Sequence, residues 1–312
     1  YTHNVLVPGS NPGGPTKKEI IISLFFKNMK ISVFGMLPFS HLIKEGLEKL
    51  GHKISAENPE LIYANDPRGY KEAMLMKTKY KNVPLILNIL DIPWHMPKIQ
   101  QQTELLVNQF LIQADYVSTI SLKVKKDLSQ FFNKKIHVIY NPIKDVYYDE
   151  NIPKNNMFLF VGRANDSIKR FNLVRNTLFK IKDGEKKIKI CGTENPDFGN
   201  YLGYVSDEEL NNLYNSTKFV LLPSKAEGIG LPMIESMICG ALPITCSDNE
   251  TAKEFLPPDF ICEPEPQSIL EHIEKLDKEY SVKRELAFKF GKKYKEKFDK
   301  SSIAKNILNI IK

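Results

Sequence analysis

One stretch limits what this chain can fold into more than any other. The run Phe219-Val220-Leu221-Leu222 is continuously apolar, the pattern of a strand covered on both faces. It leads through Pro223-Ser224-Lys225-Ala226-Glu227-Gly228-Ile229-Gly230-Leu231-Pro232 into a helical pattern. Gly228 and Gly230 flank Ile229, so the backbone can turn sharply there and approach a ligand closely. Pro232 suits the first turn of a helix, where its missing N–H costs nothing. Gly240 supplies a left-handed stop, and Leu242–Cys246 reads as the next strand. Strand, loop, helix and strand in that order call for a parallel sheet with helices packed on its faces.

The chemistry of the corner follows from its geometry. The helix begins at the carboxyl end of a sheet and presents N–H groups and a positive dipole end, which attract anions and phosphates above all. Glu227 lies in the loop before the helix, and Glu235 about one turn inside it. Ionised carboxylates only accept hydrogen bonds, so they suit hydroxyl-rich ligands such as ribose or a hexose. Phosphate, ribose and sugar together describe a sugar nucleotide. The bland alternative is a glycine turn into a helix carrying two solvated glutamates.

This stretch resembles the retaining glycosyltransferases of family 4, which have the GT-B fold. Their motif is Glu, seven residues, Glu, with Gly-Phe-Gly-x-Pro after the first Glu. Here it stands as Glu227-Gly228-Ile229-Gly230-Leu231-Pro232 and Glu235, with Ile229 in place of Phe. The likeness covers most of the second half and, more loosely, the first. It implies an α/β chain of two Rossmann-like, doubly wound domains facing a central cleft. It implies transfer, with retained anomeric configuration, from a nucleoside-diphosphate sugar to an acceptor hydroxyl on a glycan, lipid or small molecule. By the same resemblance Glu235 binds the ribose diol and Glu227 contacts the donor sugar. The amides of Gly228, Ile229, Gly230 and Leu231 face the sugar or the diphosphate. Gly192, Tyr204 and Val205 line the base pocket.

A second signature precedes it. The apolar strand Phe158–Val161 runs into Gly162-Arg163, and Lys169-Arg170 follows six residues after Arg163. This is similar to the family's Gly-Arg…Lys-Gly pattern, with Arg170 where the glycine stands. Arg163 can fork onto phosphate oxygens and Lys169 adds a mobile point charge, so both suit neutralisation of a departing diphosphate. The other reading is two surface cations on a βα loop. No Asp-x-Asp occurs in the chain. Two fixed cations and a helix N-terminus can stabilise the leaving group, so we expect a metal-independent reaction with no cofactor besides the sugar-nucleotide co-substrate.

The remaining features set the frame. A chain of 312 residues suggests two domains. Its formal charge of +7 comes from widely spread lysines, which read either as a solvated surface or as a preference for anionic ligands or an anionic membrane face; no nucleic-acid partner is expected. Cys191, Cys239, Cys246 and Cys262 show no metal-type spacing and read as buried thiols of a cytoplasmic protein. No apolar run reaches the roughly 18–20 residues that span a bilayer. The basic segment from Lys283 to Lys297, interspersed with Leu286, Phe288 and Phe290, is either a peripheral contact for an anionic inner membrane face or a helix that packs its apolar side and solvates the rest.

Residues 1–28 read as foreign to the fold. The first methionine, Met29, stands directly before the strand Lys30–Phe34, and Gly9 to Pro15 resembles a mistranslated transfer-RNA gene end. The expectation is that native translation begins at Met29. The rival reading makes Val5-Leu6-Val7 a first strand and Gly13-Gly14 a phosphate loop. Mass spectrometry of protein made from the natural gene decides between them. Residues 29–142 then form an acceptor-side domain of alternating strands and helices, ending at Asn141-Pro142. Residues 143–299 form the nucleotide-sugar domain, and a helix at 300–312 crosses back to the first domain.

The first half departs from the family in two places. Gly35-Met36-Leu37-Pro38 is a poor glycine-rich loop, and the position of the usual histidine after the central strand aligns with Leu90. Asp91 and His95 are the two candidate substitutes, each balanced against a loop residue making a local hydrogen bond. Trp94 is either a sugar-stacking surface or core. Two rival functions share the fold: a non-transferring nucleotide-sugar enzyme, such as an epimerase or phosphorylase, and a binding module without turnover.

Overall fold

The computed structural model describes residues 28–35, 37–92 and 98–312. Segment 1–27, Trp94 and His95 lie outside these, as do the expectations attached to them.

The first domain holds strands β1 (Lys30–Phe34), β2 (Lys53–Ile54), β3 (Leu61–Ala64), β4 (Leu85–Ile89), β5 (Tyr116–Thr119) and β6 (Ile136–Val138). They form one parallel sheet in the order β2-β1-β3-β4-β5-β6. Helices α1 (Phe39–Lys49), α2 (Tyr70–Lys79), α3 (Ile99–Gln109) and α4 (Leu122–Leu128) connect them. The second domain holds β7 (Asn156–Val161), β8 (Ile188–Cys191), β9 (Asn200–Gly203), β10 (Thr217–Leu221), β11 (Leu242–Cys246) and β12 (Ile261–Cys262), in the order β12-β11-β10-β7-β8-β9. Its helices are α5 (Phe171–Leu178), α6 (Asp207–Ser216), α7 (Leu231–Ile238), α8 (Glu250–Phe255), α9 (Pro266–Lys278) and α10 (Tyr280–Lys297). The expected pair of doubly wound α/β domains is what forms.

The physical cause is plain in the strands. Every residue of β3, β4 and β11 is buried, because helices cover both faces of a parallel sheet. Each sheet reverses its strand order once, between β1 and β3 in the first domain and between β7 and β10 in the second. The crevice outside the carboxyl ends at such a reversal is where open α/β sheets bind ligands.

Local signals explain most boundaries. Ser206 Oγ accepts the Glu209 N–H at 3.1 Å while Glu209 Oε2 accepts the Ser206 N–H at 2.8 Å, a reciprocal cap on α6. Gly240 ends the α7 region at φ +69°, as its position suggests. Helix α4 starts at Leu122, where Ser121 Oγ caps it by accepting the Val124 N–H at 3.2 Å. Helix α3 stops at Gln109 and is followed by a 3-10 turn at Leu111–Gln113. The two-residue edge strands β2 and β12 carry no apolar run; pairing with a neighbour defines them.

The domains meet along several contacts. Helix α11 (Lys300–Ile310) packs on α1, and the Lys300 carbonyl lies where a Cβ on Gly46 would stand, 2.2 Å away. Lys300 Nζ binds Glu45 Oε2 at 2.5 Å and Asp145 Oδ2 at 2.8 Å. On the other flank Glu254 of α8 reaches α4, where its Oε2 accepts the Leu122 N–H at 2.8 Å. Helix α10 buries Ala287, Gly291 and Tyr294, and Gly291 presses on the Met237–Ile238 backbone of α7. Lys289, Lys292 and Lys293 face outward. Among the described residues no helix is long and apolar enough to cross a membrane.

Candidate active site

The second domain's reversal point holds the residues with chemistry. Strand β7 delivers Gly162, at φ +153°, then Arg163 and the loop to Lys169. Strand β10 delivers Pro223 to Gly230, and Gly230 at φ +71° turns the chain into α7. A Cβ at Gly230 would meet only the movable tip of Met233, so it is the left-handed backbone that favours glycine there. Lys225 N–H donates to the Ile168 carbonyl at 2.8 Å and laces the two loops together.

Lys169 and Glu227 meet across this gap at 2.5 Å, with 19% and 18% of their side chains exposed. They line a 350 Å³ cavity between the domains. Arg163 lines it as well and pairs with Asp166. From the first domain come Asp91, at the end of β4, and Lys123, on α4. Asp91 is exposed as a residue, yet its carboxylate turns onto the Ile92 N–H at 2.8 Å and sits among protein atoms. Desolvation there raises its pKa, and Lys123 opposes the shift. The domains touch at this point: a Cβ on Gly228 would lie 2.6 Å from the Leu90 carbonyl oxygen.

Glu235 occupies a neighbouring, smaller cavity of 130 Å³ between α7 and α1, roofed by Pro38 and Phe39. It is 8% exposed and accepts the Tyr214 hydroxyl at 3.1 Å. Burial pushes its pKa up to about 7; the Tyr214 bond works against the shift, Asp207 adds to it and Lys144 opposes it. Asp207 in turn pairs with Lys144 and accepts the Tyr147 hydroxyl at 3.2 Å.

The structure thus brings Glu227, Lys169, Arg163 and Asp91 around one cavity and sets Glu235 beside another. Ile229 is buried at 5% exposure beneath the loop, and Leu231 lines the smaller cavity. Gly192, Tyr204 and Val205 follow β8 and β9 and line neither cavity. Gly192 is fixed by close approach, since a Cβ there would lie 2.0 Å from the Gly162 carbonyl oxygen. Tyr204 is 84% exposed. Among the described residues no three His, Cys, Asp or Glu side chains are grouped to hold a metal.

Sequence reasoning missed Lys123, the Tyr214 partner of Glu235, and the Arg170–Asp248 pair, in which two guanidinium nitrogens meet two carboxylate oxygens. Only Arg170 carried a signal, as a departure from the motif; the partners lie 21 and 78 residues away in sequence.

The fold and this crevice define a class. Residues 149–297, most of the second domain, match the family model for glycosyl transferases group 1. Among solved structures, Anabaena Alr3699/HepE in complex with UDP and glucose superposes with a TM-score of 0.70 at 16% identity, over 91% of this chain and 99% of that one. A glycosyltransferase from Rickettsia africae superposes at 0.64 and 16% identity, over 91% and 98%. The shared architecture is GT-B. Among curated proteins, the O-antigen chain mannosyltransferase RfbU of Salmonella typhimurium is 28% identical over 208 residues, 58% of each chain. The O-antigen chain mannosyltransferase B of Escherichia coli is 45% identical over 56 residues, 18% of this chain and 14% of that one. The chain spans less than two thirds of the length of these relatives.

Proposed function

We propose that the chain transfers a sugar from a nucleoside-diphosphate sugar to a hydroxyl of a glycan acceptor, with retention and without a divalent metal. The observation that carries this reading is the Lys169–Glu227 pair inside an interdomain cavity at the sheet-reversal point. An entering diphosphate competes with Glu227 for Lys169. It draws that ammonium and the Arg163 fork onto its own oxygens, where they offset the charge that grows as the glycosidic bond breaks. Glu227, released from Lys169, accepts hydrogen bonds from the donor sugar. Glu235 accepts from the ribose diol in its ionised form. Asp91 faces the same cavity from the opposite domain, on the side from which an acceptor enters. Closure of the domains over the cavity limits hydrolysis by water.

The glycan acceptor is suggested by the O-antigen chains in the names of two relatives. The outward lysines of α10 suit peripheral contact with an anionic membrane at the cytoplasmic face, which co-sedimentation with anionic vesicles tests. The central test starts with thermal shift against UDP-, GDP- and ADP-sugars, since a bound donor raises apparent stability. Incubation of the donor that binds with glycan acceptors, with and without a chelator, should then yield a glycoside of unchanged anomeric configuration plus free nucleoside diphosphate. A melting temperature that no donor moves would sink the reading.

A further inference from the structure

Arg170 stands where the resembling motif carries glycine, and its backbone is one that glycine enters freely. Its φ and ψ are +51° and +43°, the left-handed region that a residue with a Cβ enters only at a cost. The same loop delivers Lys169 to the cavity. Something must hold this conformation, and the structure shows what does. The guanidinium spans to the β11–α8 loop and takes Asp248 with both terminal nitrogens, with only 16% of the arginine side chain exposed. Three residues beyond Asp248, Thr251 Oγ1 donates to the Glu227 carbonyl at 2.6 Å. Glu227 closes on Lys169 at 2.5 Å, and Lys169 is bonded to Arg170. The contacts form a ring: Arg170, Asp248, Thr251, Glu227, Lys169 and back to Arg170.

The ring also makes a wall. Asp166 and Asp248 line both the 350 Å³ cavity and an open basin of 620 Å³ beyond the β7–α5 loop, and Arg170 lines only the basin. Without the pair, the loop carrying Lys169 loses its direct tie to the loop that carries Asp248, and only the path through Glu227 and Thr251 joins them.

We propose that Arg170 and Asp248 are positioning residues that set Lys169 against Glu227 for the transfer reaction. They replace the motif's permissive glycine by a braced left-handed arginine. The inference deepens the transferase reading and rests on it for its kinetic consequence, though not for its structural one. A planar fork meeting a carboxylate on two nitrogens fixes both distance and direction, which a lysine cannot do.

Hydrogen–deuterium exchange on the ligand-free protein tests the structural part. Arg170→Gly restores the motif residue and removes backbone strain, so the protein should melt no lower than the parent. Even so, peptides covering 164–169 and 225–231 should exchange faster. Asp248→Asn and Thr251→Val should loosen the same two peptides, and Arg170→Gly with Asp248→Asn should add nothing to either single change. Arg170→Lys should not rescue. In the kinetic arm, kcat should fall about 10-fold in Arg170→Gly while the donor KM moves less than about twofold, because misplacement acts on the reacting geometry. Unchanged exchange in both peptides, or additive single effects, overturns the proposal. A parent protein that binds no sugar nucleotide overturns the transferase reading instead, and the exchange result still decides the ring.

Discussion

The two domains share an architecture and treat the same place in it differently. At the first domain's reversal point the described backbone and side chains approach one another closely. A Cβ on Gly35 would lie 1.6 Å from Asn65 Oδ1, and one on Gly69 would lie 2.6 Å from the Gly35 nitrogen. Beneath them Tyr70 Oη donates to the Asn88 carbonyl at 2.7 Å, and Ser118 Oγ to Asn88 Oδ1 at 2.8 Å. At the second domain's reversal point the crevice stays open, and its charged side chains pair with one another in exchangeable ways. A closed polar network specifies structure, whereas an open one can trade its internal partners for a ligand's.

The largest effect should separate the two crevices outright. Glu227→Gln breaks the pair with Lys169 and should lower kcat/KM by about 10²–10³-fold, the scale of losing one transition-state contact. A steady-state assay with the donor that binds measures it, with urea titration showing stability nearly unchanged.

Next comes Glu235. Its folded pKa, about 7, lies above the ordinary value of 4.5, so the native state holds a proton that the unfolded chain releases. Its contribution is fully present below about pH 4.5 and is lost as pH rises through about 7, on the order of 3 kcal/mol in all. Glu235→Gln should therefore flatten the stability profile between pH 5 and 8 in urea titrations. Donor affinity in the parent should run the opposite way, rising as the carboxylate ionises. Calorimetry at pH 6 and 8 checks this.

Gly69→Ala and Gly228→Ala offer the sharpest comparison, because the added methyl meets backbone 2.6 Å away in both. Gly69→Ala meets the Phe34–Gly35 backbone of its own domain and should cost about 1–3 kcal/mol, with turnover preserved per folded molecule. Gly228→Ala meets Leu90 of the other domain, so the strain can be relieved by parting the domains. Activity should fall while the melting temperature hardly moves. The smallest effect is Tyr70→Phe, which removes a buried hydroxyl bond, about 1 kcal/mol in chemical denaturation, and leaves donor affinity alone.

The difference between the crevices also explains what the sequence could show. The open one is written locally: Glu227, its glycines, Pro232 and Glu235 fall within nine residues, so loop and helix geometry alone place the two carboxylates. The alternation of apolar strands and helices showed both sheets for the same reason. What stayed hidden is non-local. Asp248 reaches Arg170 across 78 positions, and Glu254 reaches Leu122 across 132. Lys123 enters the cavity from α4, an element of the other domain, 104 residues before Glu227 in the chain. In the first domain Gly35 suggested a failed phosphate loop, and only the structure shows Asn65 occupying that space.

The crossing of α11 onto α1 has a consequence for synthesis. Ile303, Ala304, Ile307 and Leu308 share a buried cluster with Ile31, Ile43, Leu47 and Tyr63. On the ribosome, the half made first must therefore wait, one apolar flank unsealed, until the half made second has emerged. The intervening domain can consolidate by itself before that. The order of emergence and the order of completion are reversed, and a nascent chain stalled before residue 300 should expose that flank to chaperones.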